Sequence, residues 1–199
     1  MALYAIGDTH LSLGGNKAMD SFGGKWEGYV DKLREGFSAL TEEDTVVFCG
    51  DLSWGMSLEE ALPDFLFLEN LFPGKKIILK GNHDYWWTTA NKMLAFWNEH
   101  GIKGFSLLHN NCHFYGATAL CGTRGWFFEE EADGHNEKVF KRELLRLEAS
   151  LKAAGEGEKI CRGDHLYGGG FCPVVYGCGD KSRLGGLHQR KRLYGDQTG

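Results

Sequence analysis

The sequence predicts an α/β fold built from parallel βαβ units. Three observations carry that reading. Short apolar runs recur along the first 80 residues, each closed by a glycine. Helical patterns lie between those runs. The chain has 199 residues, a length that suits one domain and is enough to bury a core.

The first run is Ala2-Leu3-Tyr4-Ala5-Ile6, which ends at Gly7-Asp8. Thr45-Val46-Val47-Phe48-Cys49 ends at Gly50-Asp51, and Lys76-Ile77-Ile78-Leu79-Lys80 ends at Gly81-Asn82. Each reads as a buried strand. Val30, Leu33, Phe37 and Leu40 fall at helical spacing after the first. Ser57-Leu58-Glu59-Glu60 opens a second helix in the manner of a capping box. Thr88 or Thr89 caps a third, which Gly101 ends. Residues 105–108 and 112–115 are expected to form a hairpin that turns at Asn110-Asn111. Ala117 to Cys121 reads as a further strand. Residues 136–154 form an amphipathic helix, with Val139, Phe140, Leu144, Leu147 and Leu151 on one face and Gly155 as its stop.

Composition narrows the class. The chain is 42% hydrophobic and 25% charged, ordinary for a globular protein. No apolar run nears the ~20 residues of a membrane span, and the N-terminus lacks the form of a signal peptide. A cytoplasmic location with no membrane partner is expected. Six unpaired-looking cysteines read as reduced thiols. The net charge of -5 argues against nucleic acid as a partner, while a nucleotide stays open and the oligomeric state is not readable. His109, His113 and His135 read as surface or loop residues, and Trp86 and Trp87 as core or pocket wall.

The three glycine-closed runs share a second property. They end in Gly7-Asp8-Thr9-His10, Gly50-Asp51 and Gly81-Asn82-His83-Asp84. Parallel strands place their C-terminal ends along one edge, where ligands bind. Two carboxylates, an amide and two imidazoles are thereby brought toward one place. Left alone, Asp8 and Asp51 would repel each other, and a divalent cation removes that conflict. Mixed nitrogen and oxygen donors suit Mn, Fe, Zn or Ni.

Asp8-x-His10, Gly50-Asp51 and Gly81-Asn82-His83-Asp84 together resemble the calcineurin-like metallophosphoesterases over residues 1–160. Gly122-Thr123-Arg124-Gly125-Trp126 resembles a segment of one bacterial branch of that family. The resemblance implies an α/β/β/α sandwich with two divalent metal ions between its sheets. It implies that Asp8 and His10 bind the first ion, that Asp51 bridges both, and that Asn82 binds the second and touches the phosphate. It implies that His83 protonates the leaving oxygen, with Asp84 orienting it. A metal-bound hydroxide would then hydrolyse a small phosphomonoester or phosphodiester. Arg124 offers a guanidinium fork for the substrate phosphate.

The last 39 residues differ in character. Residues 1–160 hold 24 acidic and 16 basic side chains, whereas residues 161–199 hold 3 and 6, with 10 of the 29 glycines. The family supplies further histidines here. His165 is the candidate for one of them, and Val174-Val175-Tyr176-Gly177 leads into Cys178-Gly179-Asp180 where a His-x-His is expected. The tail is open to three readings. It is an aberrant end that leaves the sandwich incomplete, or a divergent completion through His165, Cys178, Asp180 or His188, or a separate zinc module of Cys161, His165, Cys172 and Cys178. The alternative to an enzyme is accordingly a non-catalytic remnant that binds metal or phosphate weakly.

Overall fold

A computed structural model describes residues 1–15, 17, 19–124, 134–155, 159–162 and 176–177. The three glycine-closed runs form β1 (Leu3–Ile6), β2 (Thr45–Phe48) and β3 (Lys75–Ile78). With β4 (Phe105–Leu107) they make one sheet in the order β1-β2-β3-β4, parallel throughout. Register pairs Ile6 with Phe48 and Phe48 with Ile78, so the strands end level with one another.

Three helices connect these strands: α1 (Tyr29–Phe37), α2 (Leu58–Leu71) and α3 (Ala90–Glu99). Ser57 caps α2 by accepting from the Glu60 amide at 3.3 Å. The Glu60 carboxylate reaches the Met56 amide at 2.9 Å instead of closing the box on Ser57. Thr89 caps α3, and Gly101, with φ 75°, follows its end.

Side-chain alternation along the strands separates two cores. Val46, Phe48 and Ile78 pack with Leu33, Phe37, Phe65, Leu68, Met93 and Trp97 of the helices. Leu3, Ile77 and Leu79 pack on the other face with Leu108 and Leu120. The first sheet is therefore covered by helices on one side and by a second sheet on the other.

The expected hairpin is corrected here. Residues 105–107 join the first sheet, while β5 (Cys112–Tyr115) pairs antiparallel with β6 (Thr118–Gly122) across Gly116. Asn111 explains the difference. Its side chain accepts from the His109 amide at 2.7 Å and donates to the Leu107 carbonyl at 3.0 Å, and Asn110 takes φ 60°. The two asparagines fold the chain on itself as it crosses between sheets, rather than closing a two-residue turn.

The second sheet runs β5-β6-β7-β8, with β7 (Lys159–Arg162) parallel to β6 and β8 (Tyr176–Gly177) antiparallel to β7. Helix α4 (Gly134–Ala153) lies against this sheet. Its inward face is more polar than its periodicity suggested. Val139, Glu143 and Ser150 are buried, whereas Leu144 is 50% exposed. Ser150 explains the preference: its hydroxyl accepts from the Gly122 amide at 3.0 Å and donates to the Asn111 carbonyl at 2.6 Å. The layers run α/β/β/α. Most of the glycine-rich tail, including His165, Cys172, Cys178, Asp180 and His188, lies outside the described residues. Among the described residues no helix is long and apolar enough to cross a membrane, and Cys49, Cys112 and Cys121 form no disulfide.

Candidate metal centre

Beyond their last ladder bonds, β1 and β2 continue to pair irregularly. The Asp8 amide donates to the Gly50 carbonyl at 3.1 Å, His10 to Asp51 at 2.9 Å, and Leu11 to Leu52 at 3.0 Å. The backbone must bend sharply to do this. Asp8, His10 and Asp51 take φ of 57°, 43° and 50°, a region that costs side-chain-bearing residues on the order of 1–3 kcal/mol each. Asn110 is the one other non-glycine residue there among the described residues. Three of the sequence-predicted ligands thus occupy strained backbone that the surrounding fold enforces.

The three glycines before these turns have different roles. The residue after the glycine, not Gly7 itself, adopts the left-handed conformation in the first motif. At Gly7 an added Cβ would meet Cys49 Cβ at an ordinary 3.6 Å. Gly50 and Gly81 are required because their backbones touch: a Cβ on Gly50 would lie 2.6 Å from Gly81 Cα, and one on Gly81 would collide with the Asp51 amide and carboxylate.

This bend gathers the side chains. His10 Nε2 lies 3.6 Å from Asp8 Oδ1 and 3.7 Å from Asp51 Oδ2. His83 Nδ1 lies 2.8 Å from Asp51 Oδ2, and the His83 amide donates to Asp51 Oδ1 at 2.8 Å. One ligand atom from each of His10, Asp51 and His83 falls within 4.8 Å of the others. The Asn82 amide rests 3.1 Å from the His83 ring. His83 Nδ1 cannot both donate to Asp51 and accept from Asn82. The carboxylate is the stronger partner, so the imidazole proton sits toward Asp51 and Nε2 is left for other work. Asp51 is fully buried, with no exposed surface, and His10 stacks on Trp54 at 4.6 Å. Trp54 and Tyr85 also pack near the His83 ring.

The donor set fits a divalent cation. Donor atoms of His10, Asp51 and His83 lie together with Asp8 Oδ1 beside His10, and a fully buried carboxylate is costly unless it is paired or bound to a cation. The buried His10 Nδ1 has no hydrogen-bond partner. The ring is held by stacking instead of by the second hydrogen bond usual for a ligating histidine.

Asp84 occupies a different place from the other predicted residues. Its carboxylate points beneath the site and accepts from the amides of Asp51 at 3.0 Å, Leu52 at 2.8 Å and Gly81 at 2.7 Å, and from Trp86 Nε1 at 3.0 Å. No hydrogen bond joins it to the His83 ring. Burial pushes its carboxyl up to about 6; the Gly81 amide pulls it down, and the neighbouring Asp51 charge adds to the rise.

Asp64 ties a third segment to the same loops. It accepts from Ser53 Oγ at 2.5 Å and from the Leu13 amide at 2.7 Å, and burial raises its pKa. Asp64→Ala should cost about 2–4 kcal/mol by leaving both donors unpaired, whereas Asp64→Asn, which keeps an oxygen for Leu13, should cost less than about half of that. Urea denaturation of the two variants checks the order.

Arg124, at the end of β6, is half-buried. Burial lowers its pKa, an effect opposed by Glu143 and, more weakly, by Asp51. The charges of Glu143 on α4 and of Asp51 in the candidate site both reach it. Sequence reasoning missed Lys80, Trp54 and His109 beside this edge. Lys80 and Trp54 flank the motifs directly, so proximity in sequence was the available signal. His109 carried none, because its place depends on β4 joining the first sheet. His113, expected on the surface or in a loop, lies in β5 with Nε2 2.8 Å from the Leu107 carbonyl.

No curated protein matches the chain. A solved structure from Aquifex aeolicus, a protein of unknown function named AQ665, is similar at 16% identity and a TM-score of 0.43, covering 71% of this chain and 72% of that one. So slight a likeness carries no argument. The family model for calcineurin-like phosphoesterases matches residues 1–164. That span contains the strained strand ends and every described ligand candidate, and the chain belongs to the calcineurin-like phosphoesterase family.

Proposed function

We propose that the chain is a metal-dependent hydrolase of phosphomonoesters or phosphodiesters. The observation that supports this best is the convergence of Asp8, His10, Asp51 and His83, three of them on left-handed backbone. Asp8 and His10 would hold one divalent ion, Asn82 a second, and Asp51 both. When bound, the ions supply Lewis acidity toward phosphoryl oxygens and acidify water at neutral pH.

The chain's own residues do the rest. His83 donates through Nδ1 to Asp51, which fixes the ring and leaves Nε2 to carry a proton to the departing oxygen. Asp84 is a positioning residue: it holds the backbone of both ligand loops and so sets where Asp51 and His83 stand. Asn82 and Arg124 would hold the phosphoryl oxygens. Trp54 keeps bulk water from the His10 side of the site.

Two experiments test the reading. Adding Mn at about 100 times its dissociation constant to chelator-stripped protein should raise Tm by roughly 5–11 °C and permit hydrolysis of nitrophenyl phosphate or bis-nitrophenyl phosphate. Absence of both responses would refute the proposal. His83→Ala should slow alkyl phosphate esters by about 100-fold or more but nitrophenyl esters far less, because a basic leaving oxygen needs the proton most. Equal losses on the two would remove His83 from proton transfer.

A further inference from the structure

We propose that a cationic cleft beside the metal centre is a second phosphate subsite, which binds the remote phosphoryl group of a substrate that carries two. The proposal rests on the phosphoesterase reading for what happens at the metal centre, but the cleft stands on its own geometry. Its volume is about 620 Å³, and Lys80, Trp87, His109 and Arg146 line it together with the first residues of α3. These come from four parts of the fold: the end of β3, the loop that follows it, the crossing after β4, and α4.

Position links the cleft to the site. Lys80 precedes Asn82 by two residues, and Trp87 follows His83 by four, so both flank the ligand turn at the same sheet edge. Arg124 senses the charges of Asp51, of Glu143 and of Arg146. With the first phosphate at the strand ends beside Asn82, the second would fall toward Lys80.

Charge selects the ligand. Lys80 makes no hydrogen bond or ion pair among the described residues. The acids whose charges reach it are Asp84 and Glu143. Neither acid is free to answer it. The Asp84 carboxylate is filled by backbone amides and an indole. Glu143 accepts from Thr123 Oγ1 at 2.6 Å and Arg146 Nη1 at 2.7 Å, with Arg142 Nε at 3.6 Å. Arg142 and Arg146 thus share the Glu143 carboxylate, while Lys80 and Arg146 line a cleft whose lining holds no acid, so their like charges repel. A phosphate dianion between Lys80 and Arg146 relieves that repulsion and accepts from both. Helix α3 adds to it, since the amides of Ala90 and Asn91 in its first turn have no carbonyl partner within the helix. His109, kept from charging by burial and by Arg146, serves as a neutral donor against the edge of Trp87.

The test is calorimetric titration of the full chain in excess chelator, with inorganic phosphate and pyrophosphate as probes. Working without metal separates this subsite from the proposed activity: an inactive enzyme would still show it. Pyrophosphate is expected to bind about 10-fold or more tightly than phosphate. Lys80→Gln, and separately Arg146→Gln, should each weaken pyrophosphate by about 10-fold. Lys75→Gln, at the opposite end of β3, should leave it unchanged. Lys80→Gln should also keep Tm, since the half-buried Lys80 side chain makes no hydrogen bond or ion pair among the described residues, and this guards against a folding artefact. Wild-type affinity in Lys80→Gln, an equal loss in Lys75→Gln, or no binding of pyrophosphate would each overturn the proposal.

Discussion

Asp51→Asn is expected to lower metal-dependent hydrolysis by more than about 100-fold while leaving the metal-free protein no less stable. Residues that merely hydrogen-bond to a metal ligand give losses of about 10–100-fold, and Asp51 is proposed as a ligand itself. The stability half of the prediction follows from burial. The carboxylate is wholly buried near Asp8 and Asp84, so without a cation its charge is a burden on the fold. Asparagine keeps an oxygen for the His83 amide, which now sits 2.8 Å from Asp51 Oδ1. The Mn-induced rise in Tm should disappear in the variant. Activity assays and thermal melts with and without chelator check the two halves separately. A large fall in Tm in chelator would show that Asp51 is chiefly structural.

Gly81→Ala is expected to destabilise the chain by more than about 4 kcal/mol, beyond the usual cost of an overpacked core. The methyl group would enter the Asp51 amide and carboxylate. Side-chain rotation does not relieve a clash with a backbone nitrogen, so the ends of β2 and β3 must separate, and the His83 and Asp84 contacts across that gap are lost with them. Gly7→Ala is the control: its added Cβ makes an ordinary contact at 3.6 Å, and it should cost less than about 1 kcal/mol. Urea midpoints of the two variants measure the difference. Similar midpoints would mean that the loops have more room than their backbone contact implies.

Three strands of the first sheet were legible because each is an apolar run stopped by glycine, and their parallel order follows from the helices between them. The gathering of the candidate site residues was legible for a related reason: level strand ends put Asp8, Asp51 and His83 at one edge. The role of Asp84 was not, since its sequence position beside His83 says nothing of a side chain turned under the loop toward Asp51 and Leu52. The crossing between sheets was hidden as well. Asn110-Asn111 between two apolar runs has the chemistry of a hairpin turn, and the choice lay with Phe105 and Leu107. Both bury themselves in the helix-covered core instead of beside β5. On α4, Leu144 fits the apolar period, yet Ser150 and Glu143 win the inward face because buried backbone and threonine donors need them. Periodicity counts apolar side chains and is blind to that demand.

Asp84 also fixes when the site comes into being. One carboxylate collects the amides of Asp51, Leu52 and Gly81, and the indole of Trp86, a residue of the main core. The two loops are thereby fastened to the most deeply packed part of the molecule. Deuterium should replace those three amide protons only in the slowest class, at the rate of whole-chain unfolding and not of loop opening. A cation would then meet a template already set at the strand ends, and capture would be limited by its own dehydration, with little reordering of the chain.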